Sequence, residues 1–311
     1  MRIKILEKKR LSKTNYNYQS ISPTACAVAY SRTFSDIPLS AEIFEEIQVI
    51  NAQIGINFTI EQIKDIFPPE TAPMFEARFK LVNKILKENG ITQILELASG
   101  FSQRGFIISQ APSMKYSELD LPGIIEEKKS IAKNLIEKGK IKKTTNLHLN
   151  KGNTLIMEDL LSATQEFEEN KPIAVLNEGL LRYLDYHERT KVAENIHQLL
   201  KKSGGVWITP DSAVKMRRRN SSKLMYDSDE KIKQLTGIDV RKYYFKNEPE
   251  AKKFFEGFGF SVERRNFMEV YSELVSPKNL NLLPEVVKKI LQNRSVFIMK
   301  VKKVGFIRIG P

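Results

Sequence analysis

The sequence has 311 residues, 41% hydrophobic and 28% charged, and its 50 Lys and Arg against 37 Asp and Glu give a formal net charge of +13. That hydrophobic fraction excludes a disordered chain, and no stretch approaches the roughly 18 uncharged apolar residues of a membrane span. One cysteine, Cys26, excludes an internal disulfide and a cysteine metal cage and fits a reducing, cytoplasmic setting.

Met1 to Ser20 is basic and has no apolar core of the kind a secretory signal carries, so residues 1–20 are expected to form a flexible tail. Residues 21–90 are expected to form a helical cap that ends in one amphipathic helix, Thr71–Asn89, with Phe75, Phe79, Val82 and Leu86 on its buried face. From residue 91 on, short apolar runs alternate with helical patterns. Strands are predicted at Thr92–Leu97, Lys115–Leu121, Asn146–Asn150, Ile173–Asn177 and Val206–Thr209. Between them Ser102 is expected to cap a helix carrying Phe106 and Ile107. Pro122 starts a second with the stripe Ile124, Ile125, Ile131, Ala132, Leu135 and Ile136, and Leu155–Phe167 forms a third. Asp185 with Glu188 reads as a capping box for a fourth, which Gly204–Gly205 stops. The segment 213–247 breaks this rhythm as a polar, basic insertion. A short helix Pro249–Phe258 follows, then strands Phe260–Asn266 and Val296–Val301. The pattern predicts a doubly wound, mostly parallel seven-stranded Rossmann-like α/β sheet over 91–311, with an antiparallel last strand and a lid insertion.

In such sheets ligands bind beyond the carboxyl ends of the strands. The first strand runs into Glu96-Leu97-Ala98-Ser99-Gly100, whose small residues let backbone approach a ligand, and the second ends at Asp120, twenty residues past Gly100, where nucleoside-binding sheets place a ribose-binding carboxylate. The loop lacks the G-x-G-x-x-G that seats a diphosphate, and Glu96 would repel one. The pattern favours S-adenosylmethionine over NAD.

Three runs carry a more specific likeness: Glu96 to Gly105, Ser117-Glu118-Leu119-Asp120-Leu121-Pro122, and Asn177-Glu178-Gly179-Leu180-Leu181-Arg182-Tyr183-Leu184. With Ser22-Pro23-Thr24-Ala25, Ser31-Arg32 and Ala77-Arg78-Phe79, they resemble the leucine carboxyl methyltransferase family of S-adenosylmethionine-dependent O-methyltransferases. The resemblance implies that Arg78, assisted by Arg32, pairs with the methionine carboxylate, for which a forked guanidinium is suited. It implies that Glu96, Ala98 and Gly100 line the amino-acid and ribose side, that Asp120 and Leu121 hold the ribose, and that Asn153, Thr154 and Leu155 meet the adenine. Glu178 would lie near the cofactor's amino group and the transfer site, and Tyr183 near the methyl group. Ala98 stands where the family's loop has glycine, which narrows the approach and keeps open a non-catalytic relative.

Methyl transfer from a sulfonium needs alignment more than proton transfer, and a carboxylate acceptor needs no base. His148, His187 and His197 all read as structural, so a small acidic acceptor, carboxylate or phenolic, is expected; a protein carboxylate or RNA is the alternative. The charge excess sits in 1–15, in 211–246 with ten basic and five acidic residues, and in 278–303, while the rest of the chain is slightly acidic. That distribution weakens the nucleic-acid reading and directs attention to the insertion, where Arg217, Arg218 and Tyr243 are candidates for holding an anionic aromatic acceptor. No metal site is expected.

Overall fold

The computed structural model describes residues 22–53, 59–211, 214 and 223–302. Its centre is a seven-stranded sheet in the order β3-β2-β1-β4-β5-β7-β6. The strands are β1 Gln93–Leu97, β2 Lys115–Asp120, β3 Leu147–Lys151, β4 Ile173–Asn177, β5 Gly205–Thr209, β6 Phe260–Asn266 and β7 Ser295–Val301. All pairings from β3 to β5 are parallel, and β7 runs antiparallel to both β5 and β6. Strand order reverses between β1 and β4, which leaves a crevice beyond their carboxyl ends. The expected doubly wound sheet is therefore present.

Central strands β1 and β4 are buried throughout, as a strand covered on both faces requires, whereas edge strand β3 is only half-buried. The covering helices include α1 Ser22–Arg32, α2 Ser40–Gln53, α3 Ile60–Ile66 and α4 Ala72–Asn89 at the N-terminal side, then α5 Arg104–Ile108, α6 Pro122–Glu137, α7 Met157–Ala163 and α8 Tyr186–Ser203. Asp185 and Glu188 make the reciprocal capping box that starts α8. Trp207 of β5 is fully buried against Phe255 and Phe260, with its indole N–H donated to Asn177.

Three local expectations need correction. The N-cap position of α5 is Gln103, one residue later than expected, although the Ser102 hydroxyl still accepts the Arg104 N–H at 3.4 Å. The helix expected over Leu155–Phe167 is confined to Met157–Ala163, because Asn153 turns the preceding chain by accepting the Leu155 N–H. On α6 the apolar end of the stripe, Ile136, is exposed, and Lys128 is fully buried in its place.

Of the insertion, residues 212–213 and 215–222 lie outside the described residues, and with them Arg217 and Arg218. Beyond them come α9 Lys223–Thr236 and a short 3₁₀ helix, Val240–Tyr243, before α10 Glu248–Gly257. Arg241 pairs with Asp239 and Glu230 within the insertion itself. No helix among the described residues is long and apolar enough to cross a membrane.

Candidate active site

The crevice at the strand-order reversal opens into a cavity with about 1230 Å³ of empty space, its mouth included. Twelve residues singled out in the sequence line it together: Arg32, Arg78, Glu96, Ala98, Gly100, Asp120, Leu121, Asn153, Thr154, Leu155, Glu178 and Tyr183. Tyr243 is not among the lining residues; it packs against the hydrophobic core. No histidine lines the cavity among the described residues. His187 is exposed, and His197 packs edge-on against Phe260.

Each strand end contributes one part. Behind β1, Ala98 takes a left-handed conformation with φ 50°, followed by Gly100 at φ 51°. A Cβ in that region meets the following carbonyl, at a cost of roughly 1–2 kcal/mol. The sharp turn, not only ligand access, thus explains why glycine suits position 98. Replacing Ala98 by Gly is expected to raise unfolding stability by about 1 kcal/mol, the strain relieved less the chain entropy that glycine adds. Denaturant titration of the two proteins checks this, and a less stable variant would mean that the Ala98 methyl contributes packing that exceeds the strain.

Asp120, at the end of β2, accepts the backbone N–H groups of Gly100 and Leu121, both at 2.7 Å. Burial pushes its carboxyl up, and these two hydrogen bonds partly oppose the shift. After β3, Asn153 and Thr154 are anchored from behind, Asn153 N–H by Asp159 and the Thr154 carbonyl by Asn195.

After β4, Glu178 is aimed into the cavity by a turn that Asp211 holds. The Asp211 carboxylate accepts from the backbone of Gly179, Leu180 and Leu181 at 2.7–2.9 Å and from the Asn177 side chain. Glu178 in turn meets three guanidinium groups. Arg104 binds one of its oxygens; Arg32 lies 3.1 Å and Arg78 2.8 Å from the other. Arg104 also donates to Glu96 at 2.9 Å, and Glu96 accepts the Tyr116 hydroxyl. Burial pushes the Glu178 carboxyl up, but Arg104, Arg78 and Arg32 more than reverse this and bring it down to about 2. Burial lowers Arg32 to about 10, so it keeps its proton at neutrality.

Sequence reasoning names Glu178, Arg78 and Arg32 but gives no role to Arg104, which joins Glu96 to Glu178 and is fully buried. The signal that could have found it is a charged side chain opening a short helix immediately after the small-residue loop. Lys128 is missed in the same way. It pairs with Glu118 under the loop, where Ser99 donates to the same carboxylate.

The charges fit an amino-acid ligand. Three guanidinium groups face two carboxylates, Glu96 and Glu178, leaving one positive charge in excess. Nε of both Arg32 and Arg78 is buried without a hydrogen bond; Arg78 Nε touches Glu178 as a charge contact only. A ligand carboxylate would supply the missing negative charge and acceptors.

Comparison with known proteins agrees. A family model described as leucine carboxyl methyltransferase matches residues 47–197, which include Arg78, the β1 loop, Asp120 and Glu178. The chain is thus similar to that family over just under half of its length. It is an S-adenosylmethionine-dependent methyltransferase, and the cavity's donor set suits that cofactor. A solved structure of a DUF574 family protein from Streptomyces avermitilis shares the fold, with a TM-score of 0.56, 12% identity, and coverage of 90% of this chain and 97% of that one. An O-methyltransferase family protein from Burkholderia thailandensis aligns at a TM-score of 0.46 and 14% identity, over 85% of this chain and 72% of that one. No curated protein matches the chain in sequence.

Proposed function

We propose that this methyltransferase transfers its methyl group to an oxygen of a small acidic acceptor, a carboxylate or a phenol. The observation that carries the reading is the mixed lining of the cavity. Arg32, Arg78, Glu96, Asp120 and Glu178 make part of it ionic, while Val28, Phe67, Phe75, Ile124 and Leu184 make part of it apolar. The first part suits a zwitterionic nucleoside, the second the body of an apolar acceptor.

S-adenosylmethionine, when bound, supplies an electrophilic methyl on a sulfonium. The chain's residues supply position. Arg78 and Arg32 would hold the methionine carboxylate, Asp120 the ribose hydroxyls, and Asn153 to Leu155 the adenine. Glu178 is a poor base, since three guanidinium groups keep it ionised. Its charge fixes the arginines and would lower the potential felt by a nearby cation. Tyr183 donates to Thr24 at 3.1 Å and forms part of the wall. With no histidine in the lining among the described residues, the carboxylate, already ionised at neutrality, is favoured over the phenol.

The test is a product assay by mass spectrometry with matched aromatic and aliphatic acids, phenols and alcohols. Acids or phenols are expected to gain one methyl group, and carboxylate methylation is expected to be flat in rate from about pH 6 to 9, where the acceptor stays ionised. Transfer to the alcohols alone, or to none of the compounds, overturns the proposal.

A further inference from the structure

Arg182, on the 3₁₀ helix Leu181–Tyr183, lines the same cavity but has no part in the charge cluster around Glu96 and Glu178. One of its terminal nitrogens, Nη2, lies 3.0 Å from Asp229 and 3.4 Å from the Tyr244 hydroxyl, and Tyr244 also donates to Asp229 at 2.9 Å. Both partners come from the insertion, Asp229 on α9 and Tyr244 just after the 3₁₀ helix Val240–Tyr243.

Two features separate this arrangement from a plain structural ion pair. Asp229 is almost completely buried, at 1% side-chain exposure, whereas Arg182 retains 20% and forms cavity wall. Arg182 is therefore the more exposed partner, and it is the one that forms cavity wall. In addition, Arg182 Nε is buried with no hydrogen-bond partner. An N–H of a buried cation left unspent is costly unless a ligand accepts from it.

We infer that Arg182 is the specificity-determining residue for the acceptor, binding its anionic group, with Asp229 and Tyr244 as the positioning residues that hold the guanidinium. The inference rests on the small-acid reading of the preceding subsection. A carboxylate that receives a hydrogen bond on one oxygen presents the other for attack. A lone pair on that oxygen forms the O–CH₃ bond as the S–CH₃ bond breaks, and its electrons stay on sulfur. The anion and the sulfonium become a neutral ester and a neutral thioether, with no proton moved. The ester no longer carries the charge that Arg182 selects, so product is held more weakly than substrate.

The experiment titrates the full chain, saturated with S-adenosylhomocysteine, with phenylacetate, 4-phenylbutyrate and indole-3-acetate and with their uncharged amides. Wild-type protein is expected to bind at least one carboxylate about tenfold or more tightly than its amide, as a charge-assisted hydrogen bond implies. Arg182→Gln should remove that preference while leaving S-adenosylhomocysteine affinity within about twofold, and Arg182→Lys should retain part of it. A residue that merely latched the insertion would shift melting temperature and leave the acid-over-amide ratio intact. An unchanged ratio in Arg182→Gln, or wild-type protein that binds S-adenosylhomocysteine but prefers no carboxylate, overturns the inference. If Arg182→Gln does not fold, Arg182→Lys decides: a ratio equal to wild type overturns the inference, and a reduced one supports it. Failure to bind S-adenosylhomocysteine at all would instead strike the methyltransferase reading, so the two failures are distinguishable.

Discussion

Glu178→Gln is expected to destabilise the protein by about 3–5 kcal/mol, the usual cost of removing one partner from a buried ion pair. The substitution keeps the shape and removes the charge, so Arg32 and Arg78 would lose their carboxylate partner and Arg104 would keep only Glu96. Acid titration gives an independent measure. The Glu178 carboxyl titrates at about 2 in the folded protein against 4.5 ordinarily. A depressed folded value means that its contribution is fully present above about pH 4.5 and lost as pH falls toward 2. A shift of that size corresponds to about 3 kcal/mol. Wild-type stability should therefore drop across that window, while Glu178→Gln starts lower at pH 7 and loses less there. Equal stability of the two proteins at pH 7, measured by denaturant unfolding, would show that the arginines find other counter-charges.

The same cluster separates what is legible in the sequence from what is not. Strands Ile173–Asn177 and Phe260–Asn266 fall where period and turn residues place them, and a doubly wound sheet then dictates that whatever follows β1, β2, β3 and β4 faces one crevice. That is why residues as far apart along the chain as Asp120 and Glu178 can be assigned to a common site from their sequence positions, whereas Arg78, on α4 ahead of β1, is placed there only by the family resemblance. What position alone does not reveal is pairing. Arg104 and Glu178 are 74 residues apart, and nothing in the local pattern of either names the other. Lys128 is a harder case. A lysine on an amphipathic helix reads as solvated, and only the adjacency of Glu96 and Glu118 on neighbouring strands creates the buried negative charge that draws it inward.

The insertion shows how far composition alone misleads at its described positions. Its run of basic and aromatic residues suggests a surface waiting for an anion, but Arg241 is matched by Asp239 and Glu230, and Tyr243 packs on the core. Arg182, a cation that does line the cavity, comes from the sheet side, where the sequence shows it only as one member of the run after β4. Net charge describes a surface, whereas a binding cation is defined by what its counter-charge leaves exposed.

Asp120→Ala is expected to weaken S-adenosylhomocysteine binding by about 100-fold, through two effects that can be separated. The carboxylate organises the loop by accepting from Gly100 and Leu121, and it is proposed to accept from the ribose hydroxyls. Each hydrogen bond to a charged acceptor is worth about 1.5–3 kcal/mol, so loss of the ribose contacts alone accounts for much of the change. Asp120→Asn keeps one oxygen acceptor and should fall between wild type and Ala. The decisive comparison uses S-adenosylhomocysteine and its 2′-deoxy analogue. If Asp120 holds the ribose, wild-type protein discriminates between the two and Asp120→Ala does not. If its whole role is to brace the loop, every variant discriminates equally and only the overall affinity changes. Asp120 lies at the end of β2, beside the β1 loop that it braces, so loop order and ribose recognition depend on one carboxylate, and the analogue is what tells them apart.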